Sequence, residues 1–149
     1  MSESSPTPPA TIYDLPSPYL PHPAFGLLHL PRFLAKARKH LAGELPPAYQ
    51  RNFTKGFDGF LCLHLGINPA DVIEAVRTST TEAELTDKLR LLFPADLRVH
   101  KWNRELVQKG MSVMGREALD GAKAKMGISH RDDLLSFADM IEFDEGRIL

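Results

Sequence analysis

The chain has a single cysteine, Cys62, in 149 residues. That excludes an intrachain disulfide and a cysteine-based zinc site. Long apolar runs are missing too: none approaches the roughly 20 residues that span a bilayer, so no membrane association is expected. Met1 to Ala10 has neither a basic start nor an apolar core, so no secretory signal is expected there, and a cytoplasmic protein is. Charge of one sign is not in excess. Lys and Arg number 18 against 19 Asp and Glu, for a net charge of −1. This argues against a dedicated basic nucleic-acid binder, and nucleic acid is not expected as a partner. No phosphate-binding loop, dinucleotide fingerprint or H-E-x-x-H is present. Gly110-Met111-Ser112-Val113-Met114-Gly115 is one residue too long for a nucleophile elbow and follows a helical pattern. Ser112 therefore reads as a helix cap. The six histidines are His22, His29, His40, His64, His100 and His130. No two have the i, i+3 or i, i+4 spacing that places two ligands on one helix face, so neither a metal nor another cofactor is expected.

What is present describes a globular domain. Hydrophobic residues make up 43% and charged residues 25%, which is ordinary for a folded chain. Seven of the 12 prolines fall within residues 1–30. Proline fixes φ and lacks an N–H, so this stretch is neither helix nor central strand. Residues 1–11 are expected to be disordered, and 12–149 to form one domain. Residues 12–30 read as an extended segment that docks through Ile12, Tyr13, Leu15, Tyr19, Leu20 and Phe25.

Helical periodicity dominates from Pro31 onward. Leu30, Phe33, Leu34, Ala37 and Leu41 make one stripe, ending near Gly43. Residues 44–56 read as a loop. Asp58 is placed as cap of an apolar helix over 59–65. Asn68-Pro69 opens another helix with Val72, Ile73 and Val76 inside. Thr81-Glu82-Ala83-Glu84 has capping-box spacing and precedes Leu85, Leu89 and Leu92. A helix over about 95–109 follows. Then comes one capped by Ser112, with Val113, Ala118, Ala122 and Met126 inside. A last start is marked by Ser129 and Asp132, with Leu134, Phe137, Ala138 and Ile141 buried. No stretch has strand alternation. The expected fold is an all-α, single-domain bundle of about six to seven short helices behind a Pro-rich extended segment.

The near-zero charge is a cancellation of blocks. Residues 31–56 carry +5, 57–94 carry −3, 95–131 carry +4 and 132–149 carry −5. Arg32, Lys36 and Lys39 share the helix face opposite the apolar stripe, and Arg38 stands beside it. This face is solvated, or it forms an anion site, or it pairs with the acidic C-terminus. Asn103 lies amid Val99, Trp102, Leu106 and Val107 and needs dedicated hydrogen-bond partners if buried. His64 and Cys62, within the apolar helix, read as a hydrogen-bonded boundary residue and a small buried hydrophobe.

Asp14-Leu15, Pro21-His22-Pro23, Leu30-Pro31-Arg32, Lys36-Ala37-Arg38 and Leu41-Ala42-Gly43 stand in an order that resembles the opening of a bacterial family, domain of unknown function 5069. Leu65-Gly66-Ile67, Trp102-Asn103, Asp139 and Asp144-Glu145-Gly146-Arg147 resemble its later signatures, so the resemblance covers roughly residues 12–148. The family usually has Arg-Ser-Pro at Pro21-His22-Pro23, and an Asp at the position of Ala35. A site served by that Asp or Arg would be altered here. The resemblance implies a small, mostly helical domain and no particular activity. It points to three segments: Arg32, Lys36 and Arg38; Trp102 and Asn103; and Asp139, Asp144, Glu145 and Arg147. If they meet, they form a structural polar cluster or a ligand pocket.

Two functions follow as expectations. The first is a non-catalytic binding or protein-interaction module with a protein partner, including a second copy of itself. The second is an enzyme or binding protein for a small anionic ligand. It would use Arg32, Lys36 or Arg38 as the anion clamp and Asp139, Asp144 or Glu145 as an acid/base group. No residue is assigned as catalytic.

Overall fold

The computed structural model describes residues 11–149. The expected leader over 1–11 lies, apart from Thr11, outside the described residues. Eight helices make up the described chain: α1 (Leu30–Leu41), α2 (Pro47–Asn52), α3 (Gly56–Leu65), α4 (Pro69–Thr78), α5 (Glu82–Leu92), α6 (Val99–Gln108), α7 (Val113–Lys125) and α8 (Phe137–Asp144). The fold is an all-α bundle, with one isolated antiparallel bridge, Pro21 to Leu28, among the described residues. No single described helix is long and apolar enough to cross a membrane.

Local chemistry sets the helix ends. Asn68, Thr81, Ser112 and Ser136 each accept a backbone N–H from the first turn of α4, α5, α7 and α8. Glu84 reaches back to the Thr80 N–H and hydroxyl, one residue earlier than a standard capping box. The 44–56 stretch is not all loop, because Pro46-Pro47 starts the six-residue α2. Asp58 is not a cap. Lys55 holds the cap position of α3, which starts at Gly56 and places Asp58 inside its first turn with no exposure. The last helix starts later than Ser129 or Asp132, because Ser136 supplies its cap.

The main core joins α1, α3, α4, α5 and α6 with the N-terminal segment. Phe33, Leu27, Leu61, Leu89 and Leu106 are fully buried in it. In the extended segment Ile12, Leu15 and Phe25 dock as expected, whereas Tyr13 (69%) and Leu20 (49%) are exposed. Leu41, at the end of the α1 stripe, is also largely exposed. A smaller core of Leu119, Leu134 and Met140 lies under α7 and α8. The expected stripe of α7 is rotated. Val113, Ala118 and Met126 are exposed, and Leu119 and Lys123 point inward, because α7 faces only this small core.

Cys62 and His64 behave as ordinary parts of the core and its edge. Burial pushes the Cys62 thiol up to about 12, which removes its nucleophilic form at neutral pH. His64 Nε2 lies 2.7 Å from the Leu97 carbonyl, with its ring against Trp102.

Candidate functional site

Two of the three cations on the polar face of α1 are not solvated, and Lys39 stays partly exposed, 3.8 Å from the exposed Asp14 carboxylate. Arg32 and Lys36, one turn apart, are both buried. Charges of this kind stay buried only when paired, and each has found its own carboxylate.

Arg32 makes a bidentate pair with Glu145, the residue that ends α8. Nη1 donates to Oε1 at 2.8 Å and Nη2 to Oε2 at 2.6 Å. Arg147 Nη2 also donates to Oε1, and the Tyr49 hydroxyl donates to Oε2 at 2.9 Å. Arg147 further binds Glu142 and the Leu15 carbonyl. Burial by itself would raise the Glu145 carboxyl, but Arg32, Arg147 and Tyr49 outweigh it and hold it below its ordinary value. The Tyr49 phenol is pushed up to about 12, by burial first.

Lys36 Nζ donates to Asp58 Oδ2 at 2.8 Å, and the Thr54 backbone N–H binds the same oxygen at 3.1 Å. The other oxygen, Oδ1, lies 2.6 Å from His29 Nε2. Burial alone would raise the Asp58 carboxyl. The His29 hydrogen bond and the Lys36 charge reverse that and keep it ionised. Burial lowers the His29 imidazole and outweighs the opposing pull of Asp58, with the charges of Lys36 and Arg32 on the side of burial. His29 is 1% exposed, and its Nδ1 has no hydrogen-bond partner among the described residues. It precedes α1 with φ 72°, a left-handed backbone that side chains rarely adopt.

Both pairs stand against a cavity of about 710 Å³. One wall comes from α1, α2 and α3 through His29, Arg32, Lys36, Tyr49, Phe57 and Phe60. The facing wall comes from α7 and α8 through Ala122, Met126, Phe137, Met140 and Ile141. Lys55, Lys109, Asp144 and Glu145 add charged groups to the lining. Lys55 and Lys109 take part in no ion pair among the described residues, and Lys109 Nζ lies 4.0 Å from the centre of the Phe60 ring. Asp144 is exposed. Its carboxyl is raised, by burial of part of the group and by the neighbouring Glu145 charge. The lining carries four cations, Arg32, Lys36, Lys55 and Lys109, against Asp144, Glu145 and the Asp58 behind Lys36.

The remaining singled-out residues lie elsewhere. Arg38 pairs with Glu82 of α5 on the exposed surface. Asn103 accepts the Leu28 N–H and donates to the Gly26 carbonyl, both at 3.0 Å, while Trp102 Nε1 donates to the Leu28 carbonyl at 2.8 Å. These two side chains clamp the chain just before α1 and do not line the cavity. Asp139 accepts the Tyr19 hydroxyl at 2.6 Å and the Leu135 N–H. Burial and this bond to Asp139 push the Tyr19 phenol up to about 12. The first basic helix and the C-terminal turn therefore meet at the cavity, and the Trp102-Asn103 segment does not join them. His29, Asp58 and Tyr49 are site residues the sequence did not single out. The usable signal was Asp58, a lone carboxylate within the apolar stretch from Gly56 to Leu65.

Among the described residues, no group of three His, Cys, Asp or Glu side chains is placed to hold a metal ion. No curated protein and no solved structure matches the chain. One family does: Domain of unknown function (DUF5069) matches residues 22–147. The chain belongs to that family.

Proposed function

We propose that this family member is a small-molecule binding protein whose ligand is an apolar molecule with one anionic group. The observation that carries this reading is the cavity of about 710 Å³ between the α1–α3 wall and the α7–α8 wall. Its volume falls in the roughly 300–1,000 Å³ range of small-ligand sites. Phe57, Phe60, Phe137, Met140 and Ile141 offer the ligand body an apolar surface. The charge balance of the lining, with Asp58 included, is one positive charge in excess. Arg32 and Lys36 are engaged by carboxylates, so Lys55 and Lys109 are the cations left to meet an anion. Their position at the lining supports a carboxylate or similar headgroup near them and an apolar body running inward.

The test uses octanoate and octylammonium. Octanoate is expected to raise the melting temperature in a dose-dependent way, as any ligand that prefers the folded state does. Octylammonium, the same length with the opposite charge, is expected not to. Lys55→Gln with Lys109→Gln is expected to weaken octanoate binding about tenfold, roughly 1.4 kcal/mol. Equal stabilisation by both amphiphiles, or none by octanoate, sinks the proposal.

A further inference from the structure

Three charged groups of the cavity lining have no charged partner among the described residues. Two are the ammonium groups of Lys55 and Lys109. The third is the carboxylate of Asp144, which takes part in no ion pair there. Its acidic neighbours are all served. Glu145 receives Arg32, Arg147 and Tyr49, and Glu142 receives Arg147. Those bonds also occupy the nearby cations. Arg32 is spent on Glu145 and the Pro16 carbonyl, and Arg147 on Glu142, Glu145 and the Leu15 carbonyl.

The surroundings of Asp144 favour positive charge. It is the last residue of α8, whose last turn holds no basic side chain. A helix C-terminus carries partial negative charge, and Glu145 follows directly. Partial burial and the Glu145 charge raise the Asp144 carboxyl against the opposing charge of Arg32, so the ionised form lacks a compensating neighbour. Asp144 is exposed, so an incoming group can reach it.

Resting on the cavity reading above, we infer that Asp144 receives an ammonium group of the ligand, which makes that ligand an amphipathic amino acid. Its carboxylate meets Lys55 and Lys109, and its apolar body lies along the cavity. The exclusion of octylammonium still holds. A ligand with positive charge alone meets a lining with one positive charge in excess, whereas an amino acid brings its own anion. Lys55 stands at the start of α3, Lys109 at the end of α6 and Asp144 at the end of α8. The two signs come from different elements, so the separation of the ligand's own charges decides the fit.

The experiment varies that separation. Octanoate and its 2-, 5- and 8-amino derivatives are compared by calorimetry, in the full chain and in Asp144→Asn. The replaced side chain is exposed and unpaired, so the variant keeps the fold. At least one amino acid is expected to bind about tenfold more tightly than octanoate, and in Asp144→Asn that ratio is expected to fall to about one. A ratio that survives in the variant overturns the assignment to Asp144. Amino acids that bind no better than octanoate overturn it too, and leave the cavity reading standing. Failure of all four to bind overturns both. Carbon-13 NMR of the wild-type carboxyl gives a second readout. The Asp144 pKa starts above its ordinary 3.8, and it is expected to fall in the complex with the amino acid and not in the complex with octanoate. Equal titration in the two complexes overturns the inference.

Discussion

Two buried cations sit one turn apart on α1, and the networks around them differ in how completely they are closed. Around Arg32 nothing is left open: each Glu145 oxygen receives two donors, and Tyr49 and Arg147 tie in from other segments. Around Lys36 the Asp58 carboxylate takes three donors, one fewer, and the third member, His29, keeps a buried Nδ1 without a partner among the described residues. A closed polar network rigidifies a fold. An incomplete one carries the cost of a buried, unpaired nitrogen. Charge therefore does not separate architecture from site in this protein, since both clusters are buried and ionic. Hydrogen-bond completeness is what separates the two clusters.

Breaking the closed network has the largest expected effect. Arg32→Leu leaves Glu145 buried with only Arg147 and Tyr49, and is expected to cost about 3–5 kcal/mol, on the order of 10 °C in melting temperature. An unchanged melting curve would show that the C-terminal turn does not depend on this pair.

Acid separates the two clusters by where each starts to fail. His29 lies below its ordinary 6.5 through burial, and Glu145 lies below its ordinary 4.5 through its donors. A group whose pKa is lowered by folding binds fewer protons folded than unfolded, so stability falls with falling pH. Loss tied to His29 is expected as pH drops through 6.5, and loss tied to Glu145 and Asp58 only below about 4.5. His22 is lowered by burial too, so the measurement belongs in a His22→Gln background. There, His29→Asn should abolish the upper step of melting temperature against pH and keep the lower one. An upper step that survives would mean the imidazole is not held neutral.

The smallest effect is the control. Arg38 and Glu82 form an exposed pair, with side chains 45% and 71% accessible. Arg38→Gln is expected to cost less than about 0.5 kcal/mol, and that little should vanish in high salt. A loss as large as that of Arg32→Leu would erase the distinction between buried and exposed members of one basic helix.

The sequence was most legible where one helix explains itself. Pro31 after Leu30, the caps Asn68, Thr81 and Ser112, and the stripes of α1, α4 and α5 all report locally, and local rules read them. It was less legible where burial depends on a distant partner. Val113 and Ala118 satisfy a helical stripe, yet α7 has too little to pack against for that face to be covered. Asp58 looks like a cap until His29, 29 residues away, and Lys36, 22 away, are seen to converge on it. Arg32 and Glu145 were within reach of a charge argument, because a +5 block and a −5 block invite pairing. No such bias marks His29, which reaches Asp58 only through the fold.

The lone cysteine has a practical consequence. Cys62 is 2% exposed in the main core, and its thiol is pushed up to about 12. An alkylating reagent meets no thiolate until α3 leaves that core. With a single thiol in the chain, the alkylation rate becomes a clock for opening of the main core, read by mass alone and without an introduced label. Run with and without ligand, the clock registers whether filling the cavity between the two walls also holds the larger core shut.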